Sequence, residues 1–396
     1  MPSYAPLKVI ESENISQDGD FTIKNIDKYN IIKYKKDKLN NSNMDTLGLL
    51  RSVIMGDGKI LCFSPPKSIY FDNFTSKNNI EDCYFEEFIE GTMINAFWDP
   101  YIEDWNIATR SNIGAKCKYN VNSNKTFRYM FLDAMNHCGL EFQHLDKNLI
   151  YSFVLQHPEN RIVIPIITPT IQLAVVYKVI TDDNGDQIVE KIENEELSMV
   201  NTVKKYTYET LKENFGGNWE TLRCYFNDEA LDYKIHGIVV YNKEGERMKI
   251  RSKNYEKIKM LKGNSPKLQF HYYYLRQNGL VKDFLQFYPE HRDEFRTLRN
   301  DLHSFTNQLY QYYIECYIKK EITKKIKDYP YNFKIHMFNL HKHYMNNLRL
   351  DKKFVSRQVA IDYINKLHPA KLMHSINHTY NKHKREEKTA VNITIA

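Results

Sequence analysis

The chain has 396 residues, 42% of them hydrophobic and 27% charged, with a net charge of +7. That length holds two domains with substantial cores, and the composition is that of an ordinary soluble protein rather than a low-complexity one. No apolar run approaches the ~20 residues of a membrane span, and six scattered cysteines without C-x-x-C spacing argue against a zinc ribbon.

The N-terminus, Met-Pro-Ser-Tyr-Ala-Pro-Leu-Lys, lacks the basic-then-apolar order of a signal peptide. Together with the cysteine usage it predicts a reducing, intracellular and cytoplasmic setting. Charge is uneven along the chain. From Arg247 to Ala396 there are 30 Lys+Arg against 13 Asp+Glu, or +17, and the remainder carries 26 against 36, or −10. Ten of the fourteen histidines lie in the basic part. Such clustering is the electrostatic footprint of a polyanion partner, and RNA is the expected one. A solvated basic surface is the alternative.

Residues 1–45 are polar with short apolar patches, which predicts a strand or two and loops. Leu49, Leu50, Val53 and Ile54, then Gly56-Asp57-Gly58, then Ile60 to Phe63 predict a β-hairpin. Tyr84 to Phe97 reads as two strands joined at Glu90-Gly91, with Trp105 to Thr109 a third. Phe127 to His137 has helical spacing, with Gly139 as its stop. Strands are predicted at Ile150–Leu155, Arg161–Ile167 and Thr170–Ile180, followed by the turn Asp182 to Asp186. Thr207–Phe215 is a predicted helix ending at Gly216-Gly217, and Ile235–Tyr241 with Arg247–Arg251 a second hairpin. The fold class is therefore α+β and β-rich over 1–262, followed by a basic, all-helical domain over 263–396. In the latter, Leu268–Arg276, Leu280–Phe287, His291–Lys327 and Arg357–Leu367 carry the i, i+3, i+4 pattern, punctuated by Pro289, Pro330 and Pro369. The end, from Lys384, reads as frayed.

Several separated segments together resemble the RNA ligases of the phage T4 RNA ligase 1 type, in the covalent nucleotidyltransferase superfamily. Leu50-Arg51-Ser52-Val53-Ile54 and Phe63-Ser64-Pro65-Pro66-Lys67-Ser68 resemble that family's upstream arginine and its Pro-Lys-Phe segment. Phe88-Ile89-Glu90-Gly91-Thr92 stands in the place of K-x-D-G-S/T, and Ile107 to Gly114 in that of the following T-K-G-S-type strand. Ser152 to Val163 resembles F-E-x-x-x-P-x-N-R-I-V, His236-Gly237-Ile238-Val239-Val240 resembles E-G-x-V-V, and Met248-Lys249-Ile250-Arg251 resembles V-K-x-K. The set covers roughly 47–260; its specificity lies in the ordered combination, since each piece alone is weak.

The resemblance implies a nucleotide pocket, and the chain departs from it at the nucleophile. The family's lysine, which attacks the α-phosphate of ATP, is Phe88 here, and no lysine occurs between Lys77 and Lys116. Phenylalanine has no lone pair, so covalent adenylation at this position is chemically excluded. The family's sugar-binding and metal-associated glutamates are Val154 and His236, which weakens any Mg²⁺ site. What the resemblance carries over is mostly cationic: Arg51, Lys67, Arg110, Lys249 and Arg251 as phosphate contacts. Phe88, Glu90, Gly91 and His236 are expected to line the same nucleotide site. Phe88 either stacks on a base or fills vacated space. Glu90 either accepts from a purine or ribose or holds the turn. His236 either contacts a ligand or is structural. His336, His341 and His343 do not share a helix face and are not read as a metal site. The aromatic stretches Phe270–Tyr274 and Tyr310–Tyr317 are read as core in preference to base-stacking platforms.

The expected function is a catalytically inactive RNA-ligase relative that binds RNA, or an RNA 5′ end or cap, in a recognition or scaffolding role. Two alternatives stay open. One is an active ligase or nucleotidyltransferase, using ATP and Mg²⁺, with its nucleophile relocated to Lys67 or Lys249. The other is a structural subunit of a viral or other large assembly, which a large exposed apolar patch on the helical domain would favour. A protein complex is a possible setting; a membrane is not expected.

Overall fold

The computed structural model describes residues 2–12, 19–118, 125–193, 197–319 and 325–378. The stretch from Lys384, expected to be frayed, lies outside them. The chain divides into two compact units, Met1–Lys262 and Gly263–Ala396. Counted by unit, the basic excess is milder than the sequence halves suggest. The second unit has 23 Lys+Arg against 12 Asp+Glu, or +11, because seven cations from Arg247 to Lys262 belong to the first.

The first unit is built on three sheets. The largest runs, edge to edge, Ser3–Tyr4, Gln187–Ile192, Thr170–Thr181, Leu149–Gln156, Thr92–Asp99, Asp104–Thr109 and Asn112–Ile113, with Asn201–Thr202 also pairing on Thr170–Thr181. Its central strand Leu149–Gln156 (LIYSFVLQ) is apolar in both phases, as a strand covered on both faces should be. Tyr151, Phe153 and Leu155 face a core shared with Met130, Phe131, Ala134 and Met135 of the helix Phe127–Cys138. Ile150 packs on the opposite side, against Ile31, Ile54 and Phe63. Those last residues belong to a meander of Phe21–Ile26, Tyr29–Tyr34, Val53–Gly56 and Lys59–Phe63. Burying a ring such as Phe153 contributes roughly 2–3 kcal/mol, so both faces of the central strand are tightly specified.

The third sheet has the order Lys205–Tyr206, Tyr84–Glu87, Gly237–Tyr241, Arg247–Arg251. One of its faces, with Phe85, Ile238, Val240, Met248 and Ile250, packs on Leu222 and Phe226 of the helix Trp219–Asn227. Strand alternation then sends Arg247, Lys249 and Arg251 to the other face.

Some expectations need correction. Leu49 and Leu50 lie in a 3₁₀ turn, Leu47–Arg51, rather than in the hairpin strand. Arg161–Ile167 is not a strand: its amides at Val163 and Ile164 bond to the Glu90 carboxylate instead of to a neighbouring strand. Helices at Pro6–Ser12, Trp219–Asn227 and Lys253–Lys262 and the strand Gln187–Ile192 were not anticipated.

The second unit is helical, with Leu268–Gln277, Val281–Phe287, Arg292–Tyr313, Tyr331–His343, Arg357–Asn365 and Pro369–Ile376. Pro289, Pro330 and Pro369 each stand at a helix start, where a missing N–H costs nothing. The expected helix His291–Lys327 is α-helical only to Tyr313, then widens to a π turn at Ile314–Lys319. Tyr272, Tyr273, Phe284, Phe295, Phe305 and Tyr313 are buried core. His336 is buried and fully engaged, with Nδ1 2.8 Å from the Tyr363 hydroxyl and Nε2 2.8 Å from the Ser375 hydroxyl. No described helix is long and apolar enough to cross a membrane.

Candidate anion-binding cleft

Two adjoining recesses in the first unit share Arg51, Lys249 and Arg251. The inner one, about 250 Å³, also has Phe88, Gly91 and His236 in its walls. The outer one adds Lys67 and Arg110, with Tyr34 and Tyr70. Eight of the nine residues singled out in the sequence therefore line one continuous region. The ninth, Glu90, does not line either recess. Its carboxylate is buried and accepts the amides of Val163 and Ile164 at 3.0–3.2 Å, so both oxygens are committed to holding that loop. Gly91 is required by close approach: a Cβ there would lie 2.5 Å from the Leu155 carbonyl oxygen.

Three rings close the inner recess. His236 stacks on Phe88 with centroids 3.7 Å apart and on Tyr255 at 3.9 Å, with interplanar angles of 19° and 28°. The imidazole is thus sandwiched, and the gap between Phe88 and Tyr255 holds one ring and no more. Neither imidazole nitrogen makes a well-formed hydrogen bond. Burial pushes its pKa down to about 3, helped by Lys259, Arg251 and Lys249 and opposed only weakly by the Ile89 backbone. His236 is therefore neutral at physiological pH.

The cations are positioned by backbone rather than by acids. Arg247 is buried and donates from Nε to the Pro66 carbonyl at 3.0 Å and from Nη2 to the Pro65 carbonyl at 3.2 Å. Arg51 donates to the Pro65 carbonyl at 3.3 Å, and burial beside Arg247 pushes its pKa down to about 10, still charged at neutral pH. Arg110 donates to the Arg51 carbonyl at 3.2 Å and lies over the Tyr34 ring. Lys67 donates to the Ser68 carbonyl at 3.2 Å; burial, and then Arg51, Arg251, Arg247 and Arg110, lower its pKa. Lys249 is the extreme case. Its Nζ sits 4.1 Å from the Phe88 ring centroid and has no hydrogen bond or ion pair among the described residues. Burial, then Arg247, Arg51, Arg251 and Lys67, drive its pKa well below the ordinary lysine value. Among the described residues only Arg251 of these cations is ion-paired, to Glu256 at 3.3 Å, which Lys259 shares at 3.6 Å.

Arg247, Tyr255 and Lys259 were missed in the sequence. Arg247 had a signal: it lies two and four residues before Lys249 and Arg251 on one strand, hence on the same face. Tyr255 and Lys259, one turn apart, needed the unanticipated helix Lys253–Lys262.

A hard divalent cation fits this cleft poorly. Such ions take oxygen ligands, and the carboxylates in the inner recess's walls are Glu86 and Glu87, neighbours on one strand whose side chains leave it on opposite faces. Glu90 and Glu256 are already engaged, with backbone amides and with cations. The arrangement can attract and hold anions; a planar base entering the ring stack must displace His236.

No family model matches the sequence, and no curated protein matches it. Among solved structures the chain is similar to the proposed ATP-dependent DNA ligase from Aquifex aeolicus, with 12% identity, a TM-score of 0.35, and coverage of 87% of this chain and 81% of that one. It is also similar to two forms of an archaeal ATP-dependent RNA ligase. Form 2 has 12% identity, a TM-score of 0.35 and 74% coverage of each chain. Form 1 has 11% identity, a TM-score of 0.32, and covers 90% and 84%.

Proposed function

We propose that the chain is an RNA-ligase relative that has given up self-nucleotidylation and holds phosphorylated RNA ends, such as a 5′ end or cap, in a recognition or scaffolding role. The observation that carries this reading is the crowding of Arg51, Lys67, Arg110, Arg247, Lys249 and Arg251 around one cleft whose walls hold two carboxylates, Glu86 and Glu87, and in which, among the described residues, only Arg251 is ion-paired, to Glu256. Uncompensated buried cations are costly, and a bound phosphate supplies the missing charge through charge-assisted hydrogen bonds. Phe88, locked against His236, supplies no nucleophile, and the closed ring stack favours phosphate over base as the recognised group.

A phosphate beside Lys249 favours its ammonium form and so raises a pKa that burial and the neighbouring arginines lower; affinity is expected to fall as pH rises through the depressed pKa of the free amine. The test compares 5′-phosphorylated with 5′-hydroxyl RNA by fluorescence anisotropy over salt and pH. Preference for the phosphorylated end with a negative salt slope supports the reading; no RNA binding at low salt sinks it.

One observation favours a second reading, an active nucleotidyltransferase. Lys249 is a desolvated amine among arginines, the environment that makes lysine nucleophilic. Intact mass after incubation with each NTP and Mg²⁺ or Mn²⁺ separates the two. An adduct absent from Lys249→Ala establishes the second reading, and no adduct in the wild type removes it.

A further inference from the structure

The helix Tyr331–His343 is apolar on two opposite sides. One side carries Phe333, His336, Met337 and Leu340, buried in the second unit's core. The other carries Tyr331, Ile335 and Phe338, continued by Met345 in the π turn Tyr344–Leu348. The spacing i, i+4, i+7, i+14 places these four in one stripe, about 21 Å long at 1.5 Å per residue. They are 73%, 58%, 54% and 42% exposed, and Leu350 and Phe354 just beyond are 86% and 71% exposed. Tyr331 meets only the His378 ring, at 5.4 Å, among the described aromatic contacts of this stripe. Single exposed apolar residues are ordinary, but an aligned row of this length marks an interaction surface.

Charge identifies what covers it. From Pro330 to Leu350 there is no Asp or Glu, while Lys334, Lys342 and Arg349 flank or interrupt the stripe. A second copy of this face would set cations against cations in a desolvated contact. Single-stranded RNA stacks on successive rings; Tyr331, Phe338 and Phe354 are rings, but the aliphatic Ile335, Met345 and Leu350 between them interrupt the row. We propose that this face docks an acidic amphipathic helix of a protein partner. Its apolar residues, spaced i, i+3 or i+4, and i+7, would lie along the row, with Asp or Glu on its margins meeting Lys334, Lys342 and Arg349. This inference concerns the second unit and does not depend on the cleft binding RNA.

The test is selection of a display library of helical peptides, about 20 residues long, on immobilised full-length protein, with the I335D/F338D variant as counter-target. The expected result is enrichment of acidic amphipathic sequences whose binding weakens with salt and drops about tenfold or more on the variant. The substituted side chains are exposed, so the melting temperature and the RNA affinity of the variant stay at wild-type values. Y331S/F338S serves as a second, milder variant should the first lose its fold. No enrichment, enrichment without acidic bias, or equal binding to the variants overturns the proposal. So does loss of RNA binding in folded variants, which assigns the face to nucleic acid. A wild-type dimer in sedimentation that the variants dissociate assigns it to a second copy.

Discussion

Two buried histidines, one in each unit, live under opposite conditions. His336 has both ring nitrogens bonded to hydroxyls within an apolar helical core. His236 has neither well bonded, lies between two rings, and is hemmed in by Lys249, Arg251 and Lys259. The surroundings of His336 are electrostatically complete as they stand. The cleft is not, and unsatisfied polar groups held in place by their surroundings are what a ligand site requires before its ligand arrives.

The sharpest test of that contrast is removal of each imidazole. His336→Leu removes one partner from each of the Tyr363 and Ser375 hydroxyls, which keep Asn339 and the Lys371 carbonyl, and is expected to destabilise by about 2 kcal/mol, read from urea midpoints at constant m. His236→Phe removes no good hydrogen bond and preserves stacking, so it should change stability by less than about 1 kcal/mol. Equal losses would break the comparison.

Acid sharpens it further. Burial holds His336 down to about 4 and His236 to about 3, against ~6.5 when unfolded. Both folded pKa values lie below the unfolded one, so the unfolded chain takes up protons first as pH drops. This contribution is intact above pH ~6.5 and is lost progressively below it, with about 3 kcal/mol at stake for His336 by pH 4. Urea midpoints between pH 7 and 4.5 should fall steeply, and the His336→Leu protein should show a shallower slope.

The change expected at Lys249 is modest and runs the other way. Lys249→Met relieves burial and repulsion from Arg247, Arg51 and Arg251, so the free protein should gain about 1 kcal/mol. The same change should weaken 5′-phosphorylated RNA about tenfold and reduce the salt slope by ~0.7 for a single strand. A variant that is more stable and binds equally well would remove Lys249 from the binding surface.

Much of this architecture was legible in the sequence, and the misses have physical causes. The hairpins at Gly56-Asp57-Gly58 and at 242–246 declared themselves through turn chemistry, and the helix Phe127–Cys138 through its spacing and its left-handed Gly139. Ile162, Val163 and Ile164 looked like strand because their side chains are apolar, yet the partner of that backbone is a carboxylate 73 residues away in sequence. Tyr331–His343 escaped notice because a helix apolar on opposite sides has no single stripe for periodicity to find. The cation cluster was half visible: Lys249 and Arg251 came with a resemblance, while Arg247, on the same strand face, was passed over as mere hairpin.

Arg247 has a consequence in time as well as in space. By gripping the Pro65 and Pro66 carbonyls it ties the strand Arg247–Arg251 to the segment that follows Lys59–Phe63. This tether is expected to hold the mouth of the cleft in place before any ligand comes near, so that entry needs no slow opening step. Stopped-flow mixing with 5′-phosphorylated RNA should give a single exponential whose rate rises linearly with RNA concentration and falls with salt, the signature of electrostatic steering onto a rigid target. A rate that saturates would reveal a gate that the fixed arginine is positioned to prevent.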